Sequence, residues 1–325
     1  MTIKFNSYES LKEWKNKNLS NSLSNTHSLN NFHDEVMKEV YKLALTRLEK
    51  ELPPCKSTWF ITGSGGRYEQ GVISDQDQGI VYEETNPNSE NFYKLLGEEL
   101  SFGLNEVGYP YCQGNVMSSN SLWCKSVEAW KQQLFEWMEE GSLNSIRNLQ
   151  IFYDARMLTG QNEYIYELKS LIHEYCKANP ILLKRFMESV MHIKNAIGPL
   201  GQIIVETNGI HQGSIDLKYS AFIPYVNAIR ILSIKEGIHE TSTIDRINCL
   251  ISMNKYKEEL QTYKNHFEQL LEYRLSLYQI DTYEDTHYLN IKTLTKEQRK
   301  EIKKILKEGR KLHQYVNRII EKGCS

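Results

Sequence analysis

Residues 59–82 read WFITGSGGRYEQGVISDQDQGIVY. The opening run, Trp59-Phe60-Ile61-Thr62, is aromatic and β-branched, which predicts a buried strand. Gly63-Ser64-Gly65-Gly66 breaks that strand with residues that tolerate positive φ and admit a ligand close to the backbone. Asp75 and Asp77 then lead into a second apolar run, Ile80-Val81-Tyr82. In an extended chain residues two apart share a face, so both carboxylates project together beside the glycine turn. A backbone-lined anion cradle next to paired carboxylates suits a divalent metal carrying a polyphosphate. The competing reading is an Asp-rich surface turn between two strands.

On the N-terminal side, residues 1 to about 31 are polar and Asn/Ser-rich toward Asn31, as expected of a short helix followed by a loop. His33 to Leu52 sets Val36, Val40, Leu43, Leu45 and Leu48 at roughly helical spacing, and Pro53-Pro54 stops that helix. On the C-terminal side, Phe92 to Val107 reads as an amphipathic helix closed by Gly108-Tyr109-Pro110. Tyr111 to Met117 is a candidate further strand. From Leu122 the text is helical almost to its end, with breaks at Gly141, Gly160, Asn179-Pro180, Gly198-Pro199 and Gly209 to Ser214. Strands before residue 120 and helices after it predict a small α/β unit and then an all-helical one, joined near residue 160.

The 325 residues carry a formal net charge of −2, so no overall field draws the chain to nucleic acid or anionic membrane. Six scattered cysteines without CxxC spacing predict reduced thiols rather than a disulfide or zinc framework. No stretch has the length and apolarity of a membrane span or of a signal-peptide core, and the expected location is cytoplasmic. Lys292 to Lys322, rich in Lys, Arg and Glu over a stripe of Ile and Leu, reads as a solvated helix docking one face.

The strand, the Gly63-Ser64 turn and the Asp75-x-Asp77 pair eleven residues later together resemble the nucleotidyltransferase superfamily that includes DNA polymerase beta. Arg67 and Glu69 extend the pattern to GSxGRxExxxxSDxDxxxxY. That longer form is similar to the protein-PII uridylyltransferases, and closer to the nucleotidyltransferases often fused to CBS or cyclic-nucleotide-binding domains. The likeness continues through Gly108-Tyr109-Pro110-Tyr111-Cys112, Trp123 to Trp130, Phe152-Tyr153-Asp154-Ala155-Arg156, Ile215-Asp216-Leu217-Lys218 and Thr241 to Arg246. The resemblance implies an α+β fold: an N-terminal helix and polar loop over 1–34, a mixed β-sheet with helices over 35–160, and a helical substrate-binding domain over 161–325.

It also implies a reaction, transfer of a nucleoside monophosphate from an NTP to an acceptor hydroxyl on a protein or small molecule, as in signalling uridylyltransferases or adenylyltransferases. Asp75 and Asp77 would hold Mg²⁺ (or Mn²⁺), and Gly63 and Ser64 the β/γ phosphates of ATP or another NTP. Arg67 would pair with a phosphate, or else with Glu69 or Asp75 to shape the turn. Glu69 reads as a positioning residue. Asp154 would be general base and second-metal ligand, or else a helix carboxylate paired with Arg156 or Arg147. Lys218 and Arg246 would reach phosphate or base, or serve as ordinary surface or interface charges. A polynucleotide acceptor is disfavoured by the charge balance. The alternative of a different class is a non-catalytic nucleotide sensor. Arg185 and His192, seven apart on one predicted helix, fit only loosely the motif of helical ribonuclease domains.

Overall fold

A computed structural model describes residues 5–48, 53–277 and 280–323. The chain forms two compact units, Met1–Glu139 with Ile151–Leu171, and Glu140–Gln150 with Ile172–Ser325.

The first unit is built on a four-stranded mixed sheet. Its strands are β1 (Ser57–Ile61), β2 (Gln78–Tyr82), β3 (Cys124–Ser126) and β4 (Arg156–Gly160), in the order β3-β2-β1-β4. β1 runs antiparallel to both β2 and β4, whereas β2 and β3 are parallel. The register sets Trp59 opposite Ile80 and Ile61 opposite Gln78. Both faces of β1 are covered, which is why Trp59 to Ile61 is continuously apolar rather than alternating. On one face, Trp59, Ile61 and Ile80 share a core with Val36, Met37 and Val40 of α2 (Thr26–Arg47) and with Leu96, Leu100 and Leu104 of α4 (Pro87–Val107). On the other, the Phe60 ring meets Trp130 of α5 (Val127–Glu140) and Phe152 of α6 (Leu143–Tyr153), with centroids 5.9 and 5.7 Å apart. An N-terminal helix, α1 (Tyr8–Asn18), packs on α2 and α4; a single glycine turn, α3 (Gly63–Gly66), follows β1, and α7 (Asn162–Ala178) follows β4.

Helix α2 starts seven residues before the expected His33, because Asn25 caps it: its side chain accepts from the Ser28 N–H at 2.8 Å. Asn86 caps α4 in the same way, and Gly108 at φ +97° ends it. The expected end of α2 near Leu52 lies outside the described residues. Tyr111–Met117 is not a strand. Tyr111 makes one bridge to Gln76, and Asn115 at φ +56° then turns the chain. The remaining strands, β3 and β4, fall in text that reads as helical. β3 is only three residues long, and β4 reads Arg-Met-Leu-Thr-Gly, which has no strict apolar–polar alternation.

The second unit is helical. Its centre is α9 (Ile223–Glu236), apolar almost all round, with Tyr225, Val226, Ile229, Ile231, Leu232 and Ile234 buried. Around it lie α8 (Ile181–Ser189), α10 (Thr243–Ser252), α11 (Lys257–Leu275) and α12 (Lys296–Gly323). Helix α12 buries the stripe Ile302, Ile305, Leu306, Leu312, Val316 and Ile320 and leaves its charges outward. Gly309 lets it approach α9: an added Cβ there would lie 2.6 Å from the Tyr225 ring. A short antiparallel pair, β5 (Ser214–Asp216) with β6 (Tyr288–Asn290), departs from the all-helical expectation. Lys218–Phe222 is a π-helical turn leading into α9. Arg185 lies on α8, but that helix ends at Ser189, so His192 is not on the same helix.

Candidate active site

The glycine turn and the two aspartates meet because β1 and β2 are antiparallel neighbours. The Thr62 N–H donates to the Asp77 carbonyl at 2.8 Å, extending the ladder one step beyond β1. The next residue, Gly63, adopts φ +58°, and an added Cβ would sit 2.1 Å from Asp77 Oδ2. Glycine is therefore required twice, for its backbone conformation and for the room it leaves the carboxylate. The chain then makes one helical turn, closed by Gly66 N–H to Thr62 O at 2.8 Å, and Glu69 N–H donates to Ser64 O at 2.8 Å. The first N–H groups of such a turn, those of Gly63, Ser64 and Gly65, have no partner within it.

The segment into β2 alternates as an extended chain must. Gln76 and Gln78 turn inward. The Gln76 amide donates to the carbonyls of Ser101 and Tyr109, and Gln78 accepts from the Trp59 indole at 2.9 Å. Asp75 and Asp77 take the other parity, and both are partly exposed. Their carboxylates join the Cys112 thiol in a group whose potential ligand atoms all lie within 4.8 Å of one another.

Cys112 is the member that sequence reasoning missed. Burial pushes its thiol up to about 12, and the neighbouring Asp77 carboxylate, which it hydrogen-bonds, pushes the same way. Both effects favour the neutral thiol, a hydrogen-bond donor to Asp77. Two carboxylates suit a hard oxygen-seeking cation such as Mg²⁺ or Mn²⁺, and the thiol does not. The donor set therefore fits a metal on Asp75 and Asp77, with Cys112 orienting Asp77. The signal was present in Gly108 to Cys112, but nothing local ties that loop to the aspartates.

Arg67 and Asp154 are brought together with each other. Arg67 Nε donates to Glu69 Oε2 at 2.8 Å, and its Nη1 donates to Asp154 Oδ2 at 2.7 Å. Asp154 is fully buried and Glu69 is 1% exposed. Burial alone would lower the Arg67 pKa, but the two carboxylates more than offset it and hold the guanidinium charged. Asp154 sits between α6 and β4, with its carbonyl 2.1 Å from where a Gly66 Cβ would be. It is not in the three-ligand group of Asp75, Asp77 and Cys112. Nor does it pair with Arg156, whose guanidinium forms a two-bond pair with Asp34 at 2.8 and 2.7 Å and donates to Gly65 O at 3.0 Å. Arg156 also lies 3.8 Å from the centroid of the Tyr68 ring, so two arginines buttress the glycine turn from behind.

Lys218 belongs to the helical unit. It opens the π-helical turn, with its Nζ over the rings of Tyr219 and Tyr283 at 5.7 and 5.6 Å. Arg246 is fully buried and donates to Glu240 O at 2.7 Å, which makes it a structural group of α10.

No helix among the described residues is long and apolar enough to cross a membrane. No curated protein compared with the chain matches it. Two family models do: residues 17–144 match Putative nucleotidyltransferase DUF294, and residues 180–320 match Putative nucleotidyltransferase substrate binding domain. The glycine turn facing an aspartate pair lies within the first match and the helical unit's core within the second, and the chain belongs to the DUF294 nucleotidyltransferase family.

Proposed function

We propose that the chain transfers a nucleoside monophosphate from an NTP to a hydroxyl group of a protein or small molecule, with Mg²⁺ or Mn²⁺ as cofactor. The observation that carries this reading is the convergence of the Asp75 and Asp77 carboxylates beside a glycine turn that has no room for a side chain. Asp75 and Asp77 hold the metal, which when bound neutralises phosphate charge. Gly63 and Ser64 supply backbone N–H groups and a hydroxyl to the β and γ phosphates. Cys112 keeps Asp77 in one orientation by donating to it.

Arg67, Glu69 and Asp154 act one step back from the phosphates. The Arg67 charge is already matched by two buried carboxylates, through Nε to Glu69 and Nη1 to Asp154, so it serves the turn rather than the phosphates. The same pairing argues against Asp154 as the base that takes the acceptor proton. These residues fix the turn that presents Gly63 and Ser64.

The test is incubation with each NTP and Mg²⁺ or Mn²⁺, following pyrophosphate release and labelling of the protein or of added acceptors. Turnover abolished by Asp75→Asn and by Asp77→Asn is the expected result. The two-carboxylate set, with Asp154 apart from it, also supports a second reading, a nucleotide sensor without catalysis. Saturable NTP binding with no turnover under any metal would select the sensor and discard the transferase.

A further inference from the structure

The helical unit contains a cavity of about 260 Å³ lined by Ile193–Ile197, Ser220 and one face of α12. Lys307, Arg310, Lys311 and Gln314 recur at the three- and four-residue intervals that place side chains on one helix face. With Lys194 opposite them the lining holds four cations and no carboxylate. Two of the four bring their own counter-charge: Lys194 pairs with Glu206 and Asp216 at 2.7 and 3.0 Å, and Lys311 with Glu308 at 2.8 Å. Lys307 and Arg310 have no carboxylate partner among the described residues. Like charges one turn apart on a helix repel, so the sequence keeps this stripe against its own helix stability.

The rest of the wall is apolar or neutral. Ile193, Ala196 and Ile197 come from the first arm of a small hairpin closed by the Ile197–Ile203 bridge, and Leu306 from the buried edge of α12. Ser220 comes from the π-helical turn, a rare conformation that recurs at functional sites. The volume lies just below the range of about 300–1,000 Å³ usual for small-molecule sites, which suits a compact ligand rather than a nucleoside triphosphate.

We propose that this cavity binds a small phosphate monoester, its dianionic phosphoryl group on Lys307 and Arg310 and its short carbon body against Ile193, Ala196, Ile197 and Leu306. Two uncompensated cations match the two charges of a monoester, and an arginine offers the forked N–H geometry that phosphate oxygens accept. The inference stands whether or not the first unit transfers nucleotides.

Calorimetric titration of the full-length protein with glycerol 3-phosphate tests it, with inorganic phosphate and glycerol as companion probes. Glycerol 3-phosphate should bind with a sub-millimolar Kd and glycerol should not bind. Arg310→Gln should weaken binding at least tenfold, the Lys307→Gln/Arg310→Gln pair should remove it, and Lys300→Gln, an exposed charge outside the lining, should leave it intact. Asp77→Asn should also leave it intact, which separates this site from the nucleotidyl-transfer reading. Equal affinity in the paired variant and in Lys300→Gln would reduce the effect to diffuse helix charge and overturn the proposal. Binding to phosphatidic-acid vesicles without binding to glycerol 3-phosphate would overturn it too, by assigning the stripe to a membrane headgroup.

Discussion

Asp77 Oδ2 occupies space that any side chain on residue 63 would need: a Cβ built on Gly63 lies 2.1 Å from it. Gly63→Ala must therefore move the carboxylate and also hold alanine at φ +58°, a left-handed conformation costing about 1–2 kcal/mol for a residue with a Cβ. The stability loss should be of that size in urea melts. The loss of nucleotidyl transfer should be larger in effect, about 10²-fold, because a displacement near 1 Å at reacting groups costs that much. Full activity in a folded Gly63→Ala protein would detach the turn from the chemistry.

Arg67 joins the buried carboxylates of Glu69 and Asp154 through different nitrogens. Removing it takes a charged partner from each of two buried carboxylates, and breaking a buried pair of this kind costs about 3–5 kcal/mol. Arg67→Ala should lower the denaturant midpoint accordingly. Arg67→Lys should recover little, since a single ammonium lacks the planar fork that serves both partners. A variant that kept wild-type stability and lost only NTP affinity would instead make Arg67 a phosphate ligand.

These two relationships differ in how far the sequence could reveal them. The Gly63–Asp77 approach follows from a strand, a turn and a strand contiguous in sequence, so the two-residue alternation of Asp75 and Asp77 was readable. Arg67 and Asp154 are separated by 87 residues, and their pairing depends on β4 docking beside β1. Since β4 was hidden in helical-looking text, Asp154 read as a general base or as a partner of Arg156 or Arg147, and Arg67 was not among its expected partners. Cys112 escaped because the loop that carries it is joined to the aspartate segment by long-range links, the Gln76–Tyr111 bridge and the Gln78 N–H to the Val116 carbonyl among them. The long amphipathic α12 was legible from its stripe, whereas its uncompensated Lys307 and Arg310 emerge only when the hairpin across from them is placed.

His33, fully buried, hydrogen-bonds the Tyr109 hydroxyl at 2.8 Å and the Gly71 carbonyl at 3.0 Å. The carbonyl can only accept, so Nε2 carries the proton and Nδ1 accepts from the tyrosine, which fixes a neutral ring. Burial first, and Lys15 second, push its pKa down to about 3. The unfolded chain binds a proton below about pH 6.5 that the native state refuses, so stability falls as pH drops from there toward 3. The slope from this one group is at most about 1.4 kcal/mol per pH unit. His33→Gln, which keeps one donor and one acceptor, should flatten the dependence of the urea midpoint between pH 7 and 4.5. An unchanged slope would place the proton linkage elsewhere.

Cys112 separates orientation from ligation at the metal. If its thiol serves Asp77 as a hydrogen-bond donor, Cys112→Ser keeps the donor and should bind Mn²⁺ with near wild-type affinity in calorimetry. Cys112→Ala removes the donor and should weaken Mn²⁺ by about 10–100-fold, the usual effect of losing an outer partner of a ligand. The thiol, pushed up to about 12 chiefly by burial and then by Asp77, should also alkylate far more slowly at pH 8 than an ordinary cysteine. Rapid alkylation in the metal-free protein, or a serine variant as weak as alanine, would show that sulfur itself meets the metal and that Asp77 needs no help to face it.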